Sequence, residues 1–261
     1  MLGEELIGLH ENPRLVPPFT QRYPELTAEA GYAAAQRLHE HRLASGWQPV
    51  GRKIGFTNRN IWPLYGVYQP IWGYVYDRTL IEAEDGAAEV PLAGLLNPRI
   101  EPEICFGLKQ TPRTAHVEEL LTCIGWVAHA CEIVQCPHPG WKLKLADSTA
   151  SNGLHGRLVV GARVPANQIN DLIHALPGVE AQLFKGDERI EQGRGENVLG
   201  SPLLALGHLV TVLAAQGGAP LSPGDMVTTG TLTDAHPVAP GEGWRTAIAG
   251  LPLQGLRLSF S

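Results

Sequence analysis

Glycine and proline cut this chain into short pieces. There are 30 glycines and 21 prolines among 261 residues, spread without a repeat. Glycine loses the most backbone entropy inside regular structure, and proline removes a backbone donor. Such a chain builds many turns and short strands rather than long helices. Hydrophobic residues make up 44% of the sequence, ample for the core of one large domain or of a small lobe plus a main domain. A net charge of −6 argues against a nucleic-acid or anionic-membrane surface, and the longest basic cluster, Arg52-Lys53, is too small to change that. No apolar run approaches bilayer length, and the N-terminus lacks a basic region leading into an apolar stretch, so a cytoplasmic protein is expected. Cys105, Cys123, Cys131 and Cys136 form no C-x-x-C pair and read as reduced core cysteines.

Two segments carry complete helix signals. The first runs from Ala28 to about Ser45, with Thr27 as cap, Glu29 in the first turn and Gly46 as stop. The second runs from Pro202 to about Gln216, capped by Ser201, with Leu203, Leu206, Val210 and Leu213 as its buried stripe. Pro13, Pro17, Pro18 and Pro24 mark an extended arm ahead of the first helix. Strands are expected at 50–57, 142–146, 158–161 and 226–232, with a hairpin over 180–192 that turns at Gly186-Asp187 and a strand pair over 243–260. Two helices among many strands make this α+β. Residues 1–75 read as arm, helix and aromatic-rich segment, and residues 76–261 as the main β-rich catalytic domain.

Chemistry concentrates first at Arg99-Ile-Glu-Pro-Glu-Ile-Cys-Phe106. Strand side chains alternate between faces, so Glu101 and Glu103 point the same way. Two buried carboxylates on one face cannot both ionise cheaply without a counter-charge. Glu132 stands in a third place, inside the apolar run 126–134. If the fold brings it to the pair, the result is an all-oxygen site for a hard cation such as Mg²⁺ or Mn²⁺. Lys53 interrupts an apolar strand between Gly51 and Gly55, where a ligand could approach the backbone closely. The aromatic-rich run 61–76 could be a core hairpin or the wall of a pocket for a planar, conjugated substrate. Thr228, Thr229 and Thr231 can present hydroxyls to a carboxylate.

The order Gly51-Arg-Lys-Ile-Gly, Gly66-Val-Tyr-Gln-Pro, Glu101-x-Glu103, Glu132, Asn152, Gly193-Arg-Gly, Leu199-Gly-x-Pro, Gly224-Asp and Thr229-Gly resembles the fumarylacetoacetate hydrolase superfamily. Within it, the similarity is to the branch of 2-keto-4-pentenoate hydratases and 4-oxalocrotonate decarboxylases, from about Ala28 to the C-terminus. The resemblance implies a β-rich fold of rolled, stacked mixed sheets with flanking helices. It implies a metal site on Glu101, Glu103 and Glu132, an active-site lysine at Lys53, and a homo-oligomer. Substrate contacts are expected at Ile71, Trp72, Asn152, Thr231 and Leu232. Two departures stand out. Ile71 occupies a position where the hydratases carry Asp, and it is more like the Val of the decarboxylases. Ser151 and Leu154 replace an acid and a hydroxyl in a run resembling Ala-Asp-Asn-Ala-Ser.

The substrate implied is a small 2-oxo or 2-hydroxy unsaturated carboxylic acid. Hydration of 2-hydroxypenta-2,4-dienoate leads, ahead of decarboxylation of a 2-oxo-3-hexenedioate, C–C hydrolysis, or a silent structural partner. Lys53 would exchange a proton or steer the anionic end, the former only if its pKa is lowered. Asp147 and His155 are candidates for activating water. His39-Glu40, a pairing that C–C hydrolases use, reads as a solvated helix face.

Overall fold

A computed structural model describes residues 2–261, and the short pieces assemble in it into two mixed sheets flanked by helices. Helix α1 (Leu2–Glu11), the single turn α2 (Phe19–Arg22) and α3 (Ala28–Ala44) precede β1 (Pro49–Gly55), the short α4 (Trp62–Tyr65) and β2 (Ile71–Tyr76). Then come β3 (Leu80–Glu82), β4 (Ala87–Val90), β5 (Arg99–Leu108), α5 (Val117–Cys123) and β6 (Ile124–Val134). They are followed by α6 (Leu145–Ala150), β7 (His155–Val160), β8 (Val164–Pro165) and α7 (Leu172–Gly178). The chain ends with β9 (Glu180–Lys185), β10 (Glu188–Arg194), α8 (Pro202–Ala215), β11 (Met226–Thr231), β12 (His236–Pro237), β13 (Gly243–Ala249) and β14 (Arg257–Phe260).

The larger sheet has the order β2-β1-β11-β5-β6-β7-β3, with β12 beside β5 and β8 beside β6. The smaller has the order β10-β9-β13-β14-β4. Ile100, Cys131, Ile133 and Val159 of the larger sheet pack on Leu183, Trp244, Leu258 and Phe260 of the smaller one. A second core lies under α8, where Leu203, Leu206, Leu209 and Leu213 meet Ile104, Phe106, Val127 and Val227 of the larger sheet. Leu209 thus takes a place in the stripe, and Val210 packs at its edge.

The α3 cap forms as its sequence signal predicts: Thr27 Oγ1 accepts from the Ala30 amide at 3.2 Å, and Gly46 sits at φ +79°. The hairpin of β9 and β10 turns at the expected residues. Two local expectations fail. Residues 2–11 form a helix ahead of the proline arm, because Leu6 and Leu9 find an apolar seat against Phe19, Leu38 and Ala150. Residues 142–144 are not a strand; the chain turns instead into α6, since Asp147 receives the Lys144 amide as a helix cap does. The 75/76 boundary falls at the end of β2, within the larger sheet. Among the described residues, no helix is long and apolar enough to cross a membrane.

Candidate active site

Strand pairing decides which carboxylates meet. Strands β5 and β6 are antiparallel with Glu101 opposite Glu132 and Glu103 opposite Ala130. Alternation along β5 puts Glu103 on the same face as Glu101, so the three carboxylates converge. One oxygen from each lies within 4.8 Å of the others, the only such acidic, His or Cys grouping among the described residues.

Each carboxylate is held differently. Glu103 Oε2 accepts from the Gly230 amide at 2.9 Å, whereas its Oε1 is buried with no hydrogen-bond partner. Glu132 Oε1 accepts from His155 Nδ1 at 2.8 Å, and its Oε2 lies 3.0 Å from Lys53 Nζ. Lys53 also donates to the Gly153 carbonyl at 2.9 Å. Burial, with Glu132 as an added like charge against the relief given by Lys53, pushes the Glu101 carboxyl up to about 7. Burial and the two neighbouring glutamates push Glu103 well above the carboxylate range. Burial alone would do the same to Glu132, but Lys53 and the His155 hydrogen bond outweigh it and hold Glu132 below its ordinary value.

Lys53 shows the converse balance. Its burial favours the neutral amine, yet Glu132, Glu101 and Glu103 together raise it above the ordinary lysine value. The residue is therefore a fixed ammonium, which favours steering over service as a base. Three enclosed carboxylates facing one ammonium leave a charge deficit that a divalent cation makes up. The unpartnered Glu103 oxygen and the all-oxygen donor set fit a hard ion of that kind.

Lys53 and Glu101 open into a cavity of about 120 Å³. Ile71, Phe56, Leu154 and Trp141 form apolar wall, and Thr57, Thr231, Arg99 and Asp234 add polar groups. Phe56, Trp141 and Leu154 all have positive φ (55°, 57° and 65°), a conformation that bulky side chains rarely adopt. Such backbone strain collects at sites where the chain must be aimed rather than relaxed. Gly230, at φ +102°, could not carry a side chain, because a Cβ there would lie 1.8 Å from Thr57 Oγ1.

The remaining sequence candidates divide by strand alternation. Ile71 and Thr231 line the cavity, while their neighbours Trp72 and Leu232 point away. The Trp72 indole stacks on Tyr32 at 5.2 Å and donates to Gln216, and Leu232 is buried under α8. Asn152 does not reach the cavity. Its side chain accepts from the Tyr74 amide at 2.8 Å and donates to the Tyr74 carbonyl at 3.0 Å, clamping β2. His155 stands behind Glu132, with Nε2 2.8 Å from the Thr79 hydroxyl, and burial lowers its pKa, which keeps the ring neutral. Asp147 lies under the N-terminal arm, where it accepts from Thr20 N, Thr20 Oγ1 and Lys144 N at 2.8–2.9 Å. His39 is buried rather than solvated, stacked 3.8 Å from Tyr74 and bonded to the Tyr76 hydroxyl, and it lies outside the cavity. Phe56, Thr57, Arg99, Trp141 and Asp234 are cavity residues that sequence reasoning does not single out. Phe56 and Thr57 follow directly on β1 and Arg99 opens β5, so only the glycines flanking Lys53 and the Glu101–Glu103 pair point near them, whereas Trp141 and Asp234 come from connections far away in the chain.

No family model matches the sequence. Individual relatives do. The chain is 33% identical over 252 residues to the 2-hydroxyhexa-2,4-dienoate hydratase of Comamonas testosteroni, a match covering 95% of this chain and 93% of the relative. It is 34% identical over 247 residues to a 4-oxalocrotonate decarboxylase of Pseudomonas sp., covering 91% of this chain and 90% of that one. A solved 4-oxalocrotonate decarboxylase from Pseudomonas putida G7, complexed with magnesium and adipate, matches with a TM-score of 0.90 at 25% identity, covering 100% of this chain and 96% of its own.

Proposed function

Because the chain belongs to the 2-keto-4-pentenoate hydratase and 4-oxalocrotonate decarboxylase family of the fumarylacetoacetate hydrolase superfamily, we propose that it is a divalent-metal-dependent lyase that hydrates 2-hydroxypenta-2,4-dienoate to 4-hydroxy-2-oxopentanoate. The observation that carries this reading is the convergence of three enclosed carboxylates beside one ammonium at the base of an apolar-walled cavity. Glu101, Glu103 and Glu132 would hold Mg²⁺ or Mn²⁺, which when bound supplies Lewis-acid stabilisation of charge at the substrate's 2-oxygen.

The chain's own groups do the rest. Lys53, locked by Gly153 and Glu132, keeps its proton and draws the anionic head of the substrate inward. Thr57 Oγ1 is buried without a partner on the cavity wall, free to donate to a substrate carboxylate, and Thr231 adds a second hydroxyl. Ile71, Phe56 and Leu154 flank the diene and keep bulk water from it. Water adds at C4 once the enol proton has moved to C5 to give the 2-oxo-3-enoate. Neither His155 nor Asp147 lines the cavity, so the water's proton falls to Asp234, a carboxylate on the cavity wall, and C3 takes up a proton in turn to give the product. A cytoplasmic, homo-oligomeric enzyme completes the reading.

Decarboxylation of a 2-oxo-3-hexenedioate is the second reading, and one observation favours it. The Arg99 guanidinium lines the same cavity, 4.4 Å from the Trp141 ring centre, where it would meet a distal carboxylate. Ile71 and Leu154 give an apolar wall that suits loss of CO₂ as well as it suits hydration.

The test is ultraviolet loss of 2-hydroxypenta-2,4-dienoate by chelator-stripped protein, with and without Mg²⁺. Metal-dependent loss with 4-hydroxy-2-oxopentanoate as product is expected. No metal-dependent loss, together with CO₂ release from 2-oxo-3-hexenedioate, would put the decarboxylase first. In that case Arg99→Leu should cut turnover of the dicarboxylate by roughly a hundredfold, in line with loss of one charge-assisted contact.

A further inference from the structure

A second cavity, of about 100 Å³, lies on the far side of the Glu132–His155 pair and shares no lining residue with the first. It is enclosed by α1, α3, the turn after α6 and the loops near residues 94–96 and 135–137. Leu6, Leu9, Phe19 and Leu38 give it an apolar side. Arg42, Ser151 and His155 give it a polar one.

The polar side is incomplete in a particular way. Arg42 Nε and Ser151 Oγ are both shielded from solvent, and neither has a hydrogen-bond partner. No aspartate or glutamate lines the cavity, and among the described residues Arg42 forms no ion pair. None of the groups set against it is anionic: the Trp47 and Tyr76 rings lie at 5.0 and 4.8 Å, the Tyr76 hydroxyl is hydrogen-bonded to it, His10 Nδ1 lies 3.5 Å from Nη2, and the further charge it feels, Arg157, has the same sign. His10 is held neutral by burial and by Arg42 itself, its pKa lowered to about 4. An enclosed guanidinium without a counter-charge is expensive unless something anionic joins it. His155 Nδ1 is engaged by Glu132 at 2.8 Å and is not available to a ligand in this cavity.

We propose that this cavity binds a small aliphatic carboxylate, whose oxygens take the hydrogen bonds of Arg42 and Ser151 while its carbon tail lies against Leu6, Leu9, Phe19 and Leu38. A carboxylate with a carbon tail matches the site better than an inorganic anion, because the lining joins Arg42 and Ser151 to the apolar side chains of Leu6, Leu9, Phe19 and Leu38, which an inorganic anion would leave without a partner. The site is independent of the lyase reading: it uses no group of the carboxylate cluster.

Calorimetric titration of sodium butanoate into the chelator-stripped protein tests it, with butanamide as the uncharged isostere and sodium chloride as the inorganic control. Butanoate should bind wild type and Glu103→Gln alike. Ser151→Asp, which tethers a carboxylate beside Arg42, should weaken binding at least roughly tenfold while melting no lower than wild type. Four results would overturn the proposal: no binding to wild type up to about 20 mM, equal binding of butanamide, equal displacement by chloride, or binding lost in Glu103→Gln but retained in Ser151→Asp. The last would place the ligand in the first cavity.

Discussion

Glu101 and Glu103 are carboxyls that fold into protonated company. The Glu101 value moves from 4.5 to about 7 chiefly through burial, so the folded chain binds this proton more tightly than the unfolded chain does. Stability from such a group is full below its unfolded value and is lost as pH rises through the folded one. The metal-free protein should therefore melt lower at pH 8 than at pH 5.5 relative to Glu101→Gln, by about 5 °C, and Mg²⁺ should remove that difference. Equal pH slopes in the two proteins would mean that the carboxyl ionises unopposed. Glu103→Gln carries the companion prediction. It removes a donor oxygen with no other partner, so turnover should be abolished and Mg²⁺ should no longer raise the melting temperature, while the far-ultraviolet spectrum stays native. Wild-type activity in this variant would take the metal site out of the mechanism.

One scale up, the elements sort residues that look equivalent in the sequence. Asn152 sits where a substrate contact is expected, yet its amide completes the edge of β2 by pairing with both backbone groups of Tyr74. It also holds φ +52°, which Asn tolerates better than Ala does. Loss of two partly buried hydrogen bonds and that tolerance should cost Asn152→Ala about 2–4 kcal/mol, and Asn152→Gly roughly 1 kcal/mol less, by urea titration. Equal losses would show that the backbone conformation is not under strain. The same alternation explains what was legible. Glu101 and Glu103 are two apart on one strand, so their shared face can be read from the sequence alone. Ile71 and Trp72, or Thr231 and Leu232, are one apart, so only one of each pair can face the cavity. Glu132 is a different case: its isolation among apolar residues marks it, but the β5–β6 register that delivers it is a long-range fact no local pattern contains.

For the whole molecule, the question is how the N-terminal helices are tied to the sheets. The helix at 2–11 has Glu4 and Glu5 in its first turn and Leu2, Leu6 and Leu9 at helical spacing, yet at ten residues it depends on the packing of that apolar stripe. Asp147 is the tie. From the first turn of α6 it takes the amide and hydroxyl of Thr20 and the amide of Lys144, and its Oδ1 lies 3.9 Å from His138 Nε2. A carboxylate held by three donors under the arm, and absent from the cavity wall, is not placed to take a proton from a water at the substrate. Asp147→Ala should leave the carboxylate cluster assembled but free the arm, because the amide and hydroxyl of Thr20 are left as buried donors without an acceptor and Lys144 N loses its cap. Limited proteolysis should then cut within residues 12–27 much faster than in wild type, with stability lower by about 2–4 kcal/mol. Turnover of 2-hydroxypenta-2,4-dienoate at saturating Mg²⁺ should stay within roughly threefold of wild type, whereas loss of a general base would lower it by about a hundredfold or more with the arm still protected. The two outcomes differ in which assay moves, so a single variant decides whether Asp147 fastens the molecule or works in its chemistry.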